Sequence, residues 1–309
     1  MTARIALVGA RGHTGRELIR LISERDDMVL AWAGSRSLSG RHVTEMAPEA
    51  DPDLVFKMPD PETLAGLDID AVVLALPNGA GEPYVAAIDS LAPQRVIVDL
   101  SADYRFDDNW VYGLPEAYGR ERIAGARRIA NPGCYATAGQ LAVAPLRDHL
   151  AAPAHVFGVS GYSGAGTTPS RKNDTEALKD NLMPYALTGH IHEREMSRHL
   201  GLEVRFTPHV AEFFRGITAT VHLDLKDAMT PDTLQAHFAA FYQDEALVRI
   251  QDMAPEIRDG AYNPGAVLGG FAVGADGHHA VIVCAEDNLL KGAAVQAVQN
   301  LCLSLGLPE

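Results

Sequence analysis

The sequence predicts an α/β fold in two parts: a parallel sheet covered by helices, then an α+β part with a mixed or antiparallel sheet. Two observations carry this. Over residues 1–133 the apolar residues gather in short unbroken runs (IALV, AVVLAL, RVIVDL), each ending at glycine or polar turn formers, as strands buried on both faces do. Over residues 134–286 alternation appears instead. Ile217, Ala219, Val221, Leu223 and Leu225 interleave with Thr218, Thr220, His222 and Asp224, the period of a strand covered on one face. The chain ends in a helix with Ala294, Val298, Leu301 and Leu305 on one side.

Composition narrows the partners. The 309 residues are 47% hydrophobic and 21% charged, enough apolar material for two ordinary cores. A net charge of -14 without any Lys/Arg block argues against a sequence-independent grip on nucleic acid or on an anionic membrane. No run approaches the roughly 20 apolar residues of a membrane span, and the N-terminus runs into a strand rather than a signal peptide. Cys134, Cys284 and Cys302 form neither a disulfide framework nor a metal spacing, so a cytoplasmic location and no metal are expected.

In RIALVGARGHTGRELIRLISERDD, the first strand meets Gly9, Gly12 and Gly15 at GxxGxxG spacing, then a helix with Leu18, Ile19 and Ile22 on one face. Strand, glycine turn and helix N-terminus suit a pyrophosphate: glycine lets the backbone approach, and the helix offers N–H donors and a positive dipole. Arg11, His13 and Thr14 stand in the same turn. An ordinary tight turn would also use such glycines. The second strand, MVLAWAG, ends at Ser35, Arg36 and Ser37, where NAD readers carry an acidic residue. Two hydroxyls and a cation suit the 2′-phosphate of NADP; a solvated turn is the plainer reading. The next two strands end at Pro77, Asn78 and Gly79 and at Ser101, Ala102 and Asp103, on the edge where open α/β sheets bind ligands. Arg105 follows with a fork fit for an anion, though a surface arginine would look the same.

RRIA reads as one more strand. Asn131, Pro132 and Gly133 cannot continue a helix, and Cys134 follows them directly, with helix from Tyr135 toward Pro145. A lone cysteine there is either packing or a thiolate favoured by the helix N-terminus. Beyond it come the strand HVFGVSG with a glycine-serine loop, the helix TPDTLQAHFAAFY capped by Thr230 with Pro231 in its first turn, and the strand AVIVCAE. Cys284 and Cys302 fall in apolar elements and read as packing. LTGHIHEREMSRHLG holds His190 and His192: a zinc pair short of further ligands, a surface pair, or an imidazole for Cys134.

Together GARGHTG, DLSADYRF, NPGCYATAGQLAVAPL, SGYSGAG, GHIHERE, TPHVAEFFRG and EDNLLKGAAVQAVQN span nearly the whole chain, and in this order they resemble the N-acetyl-γ-glutamyl-phosphate reductases. More distantly the chain is similar to aspartate-semialdehyde dehydrogenases. The resemblance implies a Rossmann-like dinucleotide-binding domain at 1–133, a catalytic and dimerisation domain at 134–286, and residues 287–309 returning to the first. It also implies NADPH-dependent reduction of an acyl phosphate to the semialdehyde by a homodimer or homotetramer. Carried over by motif, Cys134 is the nucleophile, and His192 or His190 is the acid/base. His192 is preferred because Glu193 and Glu195 beside it favour imidazolium, with His190 orienting substrate. Arg105, Asn131, His209 and Arg215 fall to the substrate. Ser163, Gly164 and Asn288 join Gly9, Arg11, Gly12, His13, Thr14, Gly15, Ser35, Arg36, Ser37, Pro77 and Asn78 at NADP(H). The chain departs from the family where Thr167, Thr168 and Pro169 precede Arg171, and where Glu193, Arg194 and Glu195 follow His192.

Chemistry agrees with that implication. A thiolate displaces phosphate from an acyl phosphate to leave a thioester, which accepts hydride where a carboxylate does not. Two other readings stand beside it: a reductase for aminoadipyl or glutamyl phosphate tethered to an acidic carrier protein, and a non-catalytic NADP sensor. The first wants a basic docking face, which a charge of -14 disfavours. The second leaves the histidine pair without a task.

Overall fold

The apolar runs near the N-terminus form strands β1 (Ala3–Val8), β2 (Met28–Gly34), β3 (Ala71–Leu74), β4 (Val96–Asp99), β5 (Val111–Tyr112) and β6 (Arg128–Ala130). The computed structural model describes residues 2–309, which divide into two compact units. The first contains residues up to 132 together with 293–309, the second residues 133–292.

In the first unit the strand order is β2-β1-β3-β4-β6-β5, with every pair parallel. Strands β3 and β4 are buried at each position, as their unbroken apolar runs require. The order reverses beside β1, so the carboxyl end of β1 is a topological switch point, where ligands of open α/β sheets bind. Helix α1 (His13–Ser23) buries Leu18, Ile19 and Ile22. A second helix, Glu82–Leu91 (α2), follows β3.

The second unit carries β7 (Ala154–Gly161), β8 (Leu182–Pro184), β9 (Val204–Ala211), β10 (Ile217–Asp224), β11 (Val248–Ile250), β12 (Ala266–Val273) and β13 (His279–Glu286). Their order is β11-β12-β13-β10-β7-β9-β8. The sheet is mixed: β7 pairs parallel with β9 and β11 with β12, and the other pairs are antiparallel. Strand β10 alternates as expected, with Ile217, Ala219, Val221 and Leu223 buried. The segment VRFTPHVA forms a strand of its own, β9.

Helix α3 (Cys134–Val143) is buried at every position after Cys134 and packs on β10 and β13. Helix α4 (Ile191–Leu200) packs on α3 and β9. Helix α5 (Pro231–Phe241) starts as expected, with Thr230 Oγ1 accepting the Thr233 N–H. The last helix is shorter than the expected 287–309: a π-helical turn, Leu290–Ala294, precedes α6 (Val295–Leu305). Ala294, Ala297, Val298, Leu301 and Cys302 join Ile5, Leu7, Leu18 and Ile22 in the core of the first unit. Among the described residues no helix is long and apolar enough to cross a membrane.

Candidate active site

At the carboxyl end of β1 the chain turns sharply through Gly9, whose φ is +86°. A Cβ there would lie 2.1 Å from the Ala75 carbonyl oxygen, so only glycine lets the ends of β1 and β3 pass. Gly15 is similarly constrained, since its Cβ would come 2.5 Å from the Ala10 oxygen. Gly12 is the N-cap of α1 and supplies no side-chain cap, and the first turn holds no acidic residue. The first intrahelical bond is Arg16 N–H to the Gly12 carbonyl, so the N–H groups of His13, Thr14 and Gly15 precede the ladder. This end fits an anionic diphosphate. Ser35 is buried, whereas Arg36 and Ser37 are exposed just past β2. Pro77 and Asn78 are exposed past β3, and Asn78 Oδ1 accepts the Ala102 N–H at 3.0 Å, clasping the loops after β3 and β4.

Two residues of this unit behave differently from expectation. Arg105 is no surface arginine: it is 6% exposed, with Nε donating to the Asn131 carbonyl and Nη2 to the Leu100 carbonyl, so it bridges the ends of β6 and β4. Asn131, expected at the substrate, is 1% exposed. Its Oδ1 accepts from Asn300 and its Nδ2 donates to the Ala293 carbonyl, so the amide clamps the returning segment instead. Nearby Asp99 is fully buried; Ser101 Oγ donates to its Oδ2, and burial pushes its carboxyl up to about 6.

In the second unit Cys134 is the first residue of α3 and is partly exposed. Thr137 N–H makes the first intrahelical bond, to the Gly133 carbonyl at 2.8 Å, which leaves the N–H groups of Cys134, Tyr135 and Ala136 ahead of the ladder. Cys284 and Cys302 are buried, and burial pushes their thiols up, Cys302 to about 11. A Cβ on Gly292 would lie 2.7 Å from Cys134 Cβ, so the backbone of the 286–292 turn abuts the cysteine.

His190 and His192 stand at the start of α4, their ring centroids 4.8 Å apart. His190 is the N-cap: its Nδ1 accepts the His192 N–H at 3.1 Å, so the neutral ring carries its proton on Nε2. Burial, then Lys172, holds the His190 imidazole below its ordinary range and outweighs Glu195 and Glu193, opposite to the sense in which these carboxylates act. Glu193 accepts the N–H groups of Gly189 and Phe206, which ties the start of α4 to β9. Glu195, fully buried one turn after His192, accepts the Gly133 N–H at 2.8 Å. The His192 ring lies 6.1 Å from that of Tyr135, the residue after Cys134. Tyr185 faces His190 at 5.7 Å, and its phenol is raised by burial and by the neighbouring Cys134. Sequence reasoning placed Glu195 beside His192 but not at the Gly133 N–H, and it missed Tyr185; the i, i+3 spacing of His192 and Glu195 puts both on one helix face.

His209 is turned the other way. Period two in β9 points Phe206 and Val210 into the core, where Phe206 meets Tyr135, while the His209 ring packs on Phe157 of the outer face at 4.6 Å. Only its carbonyl serves the α3 side, accepting from the Tyr135 hydroxyl. The His209 ring, which the resemblance assigns to substrate, thus lies on the Phe157 face and not on the face that meets Tyr135. Arg215 is 8% exposed and bidentate to buried Asp287, through Nε at 2.5 Å and Nη2 at 2.9 Å. Asn288 accepts the Gly216 N–H and donates to Ser163 Oγ at 2.9 Å, with Gly164 exposed beside them. Asn288 and Ser163 are buried, each bonded within this unit.

Residues 4–126 match the family model for the semialdehyde dehydrogenase NAD binding domain, and residues 134–288 that for the semialdehyde dehydrogenase dimerisation domain. The chain is 53% identical over 305 residues to N-acetyl-gamma-glutamyl-phosphate reductase of Xanthomonas campestris pv. campestris (strain B100), covering 99% of this chain and 96% of that protein. It is 51% identical over 308 residues to the protein of that name from Stenotrophomonas maltophilia (strain R551-3), covering 100% and 97%. Among solved structures, aspartate semialdehyde dehydrogenase II from Vibrio cholerae matches with a TM-score of 0.80 at 16% identity, covering 99% of both chains. Aspartate semialdehyde dehydrogenase with NADP from Candida albicans matches with a TM-score of 0.78 at 16% identity, covering 98% of both. These last two speak for the fold alone. With both domain models matched in order and full-length relatives at half identity, the chain belongs to the N-acetyl-gamma-glutamyl-phosphate reductase family of semialdehyde dehydrogenases.

Proposed function

We propose that this chain reduces N-acetyl-L-glutamyl 5-phosphate to N-acetyl-L-glutamate 5-semialdehyde, releasing phosphate and using NADPH. The observation that carries the reading is the contrast among the cysteines: only Cys134 is partly exposed at a helix start, with two histidines on the neighbouring helix. The activity in the relatives' name supports it.

The first-turn N–H groups of α1 would hold the cofactor diphosphate, and exposed Arg36 its 2′-phosphate. When bound, NADPH supplies the hydride that reduces the acyl group. The remaining chemistry falls to the chain. The Cys134 thiolate attacks the acyl carbon; the C–S bond forms, the bond to the phosphate oxygen breaks, and phosphate leaves with that electron pair. The N–H groups at the start of α3 are the donors for the developing oxyanion. His192 then donates a proton to the hemithioacetal oxygen and takes it back as the C–S bond breaks to release the aldehyde. His190, with Nδ1 engaged as a cap, orients substrate through Nε2–H.

A homodimer or homotetramer is the proposed assembly, supported by the dimerisation-domain match and by the outer face of the second sheet, where Phe157 is 40% exposed. Free thiols and a small phosphorylated substrate suit the reducing cytoplasm. The test follows NADPH absorbance with chemically made N-acetyl-γ-glutamyl phosphate, beside its unacetylated and carrier-linked counterparts. Turnover of the N-acetylated compound is expected. Turnover of the carrier-linked compound alone, or cofactor binding without turnover, overturns the reading.

A further inference from the structure

Among the described residues three other than glycine adopt positive φ: Asp180, Ala186 and Tyr262. Tyr262, at +64°, is the bulky one, and a bulky side chain in the left-handed region is strained. Packing does not repay this strain, because Tyr262 is 72% exposed. What holds it is polar and buried. Its N–H donates to Asp287 Oδ2 at 2.6 Å, and its ring lies over the Arg215 guanidinium, 4.5 Å from centroid to Cζ. Arg215 is itself locked by the bidentate pair with Asp287. The Asp287 carbonyl accepts the Gly292 N–H at 3.0 Å, and Gly292 abuts Cys134. A buried ion pair thus presents an exposed aromatic face on a support continuous with the reactive cysteine.

The electrostatics of that face are selective. An aromatic ring attracts cations through its negative face, but here a guanidinium already covers one side. An ammonium arriving on the other side meets a ring already engaged by a like charge. A flat, neutral amide with its methyl group packs there without that penalty. An N-acetylated amino acid offers such a group; the unacetylated compound offers an ammonium.

We propose that Tyr262 is a specificity-determining residue, its open ring face forming the wall on which the acetamido end of the acyl phosphate packs. This rests on the reaction proposed above. The test compares N-acetyl-γ-glutamyl phosphate with γ-glutamyl phosphate in the wild type, Tyr262→Gly and Tyr262→Phe. Glycine removes the ring and suits the left-handed backbone, so this variant is expected to melt no lower than the wild type. Tyr262→Asn, which also tolerates that region, is the second ring-free variant. Ring removal should lower kcat/KM for the N-acetylated substrate about 10- to 100-fold, mainly through KM, and narrow the preference over the unacetylated one by a similar factor. Tyr262→Phe should keep both. An active wild type whose preference survives ring removal within about twofold overturns this inference alone. A wild type inert toward both compounds overturns the reaction and this inference with it.

Discussion

Gly133, the residue before Cys134, donates its backbone N–H to Oε1 of Glu195 at 2.8 Å. The bond joins the start of the cysteine helix to the helix carrying both histidines. Replacing Glu195 with alanine leaves a buried N–H without this acceptor, so a loss of about 1–3 kcal/mol is expected in chemical denaturation. Glu195→Gln keeps an acceptor oxygen and should recover most of that loss. Equal stability of the alanine variant and the wild type would show that the bond does not matter.

Cys134→Ser should abolish nearly all turnover, while Cys284→Ser and Cys302→Ser retain it, because only Cys134 is partly exposed. Iodoacetamide followed by peptide mapping should label Cys134 first. Similar rates for all three variants would refute the thioester route.

For the acid/base group, His192→Asn should slow turnover by about 10²–10⁴. His190 has a structural signature as well. Its folded pKa lies below the ordinary 6.5, so the folded protein resists protonation there; the stability this brings is present above 6.5 and is lost as pH falls toward the folded value. His190→Asn should flatten the fall in melting temperature on the acid side of neutrality. An unchanged acid limb would assign that slope to other groups.

Asp99 behaves in the opposite sense. Its folded pKa is raised from 3.8 to about 6, so it favours the folded state while protonated, and that contribution is lost as pH rises through about 6. Asp99→Asn cannot ionise. Relative to the wild type it should therefore gain about 1–3 kcal/mol between about pH 4 and about pH 7.5. Parallel pH–stability curves for the two proteins would contradict this.

Arg36→Ala should weaken NADPH binding by about 1.5–3 kcal/mol, as expected for a bond to a charged phosphate, and leave NADH binding nearly unchanged. Titration calorimetry with both cofactors decides it. Equal losses would mean that Arg36 does not read the 2′-phosphate.

Local pattern made much of this architecture legible. The unbroken run at residues 5–8, the glycines after it, the alternation of β10 and the Thr230 cap each report on their own neighbourhood, and each appears where expected. Cys134 was legible for the same reason, since three non-helical residues precede it. What failed to show were side chains whose role depends on distant partners. Nothing near Arg105 announces that the carbonyls of Leu100 and Asn131 enclose it, and nothing beside Asn131 announces Asn300. The face that His209 joins was not legible either, because the period of β9 decides it and the resemblance carries a residue's role without its face. Tyr262 is invisible in sequence because its strain is a backbone property.

The returning helix α6 has a consequence for how the protein is made. Its apolar side completes the core beside Leu18 and Ile22 of α1, yet residues 133–292, the whole second unit, are translated in between. A ribosome therefore releases the first sheet long before the helix that seals it. The nascent N-terminal part carries an uncovered apolar stripe while the second unit, contiguous in sequence, is free to fold first. In this chain the order of synthesis and the order of core completion are reversed.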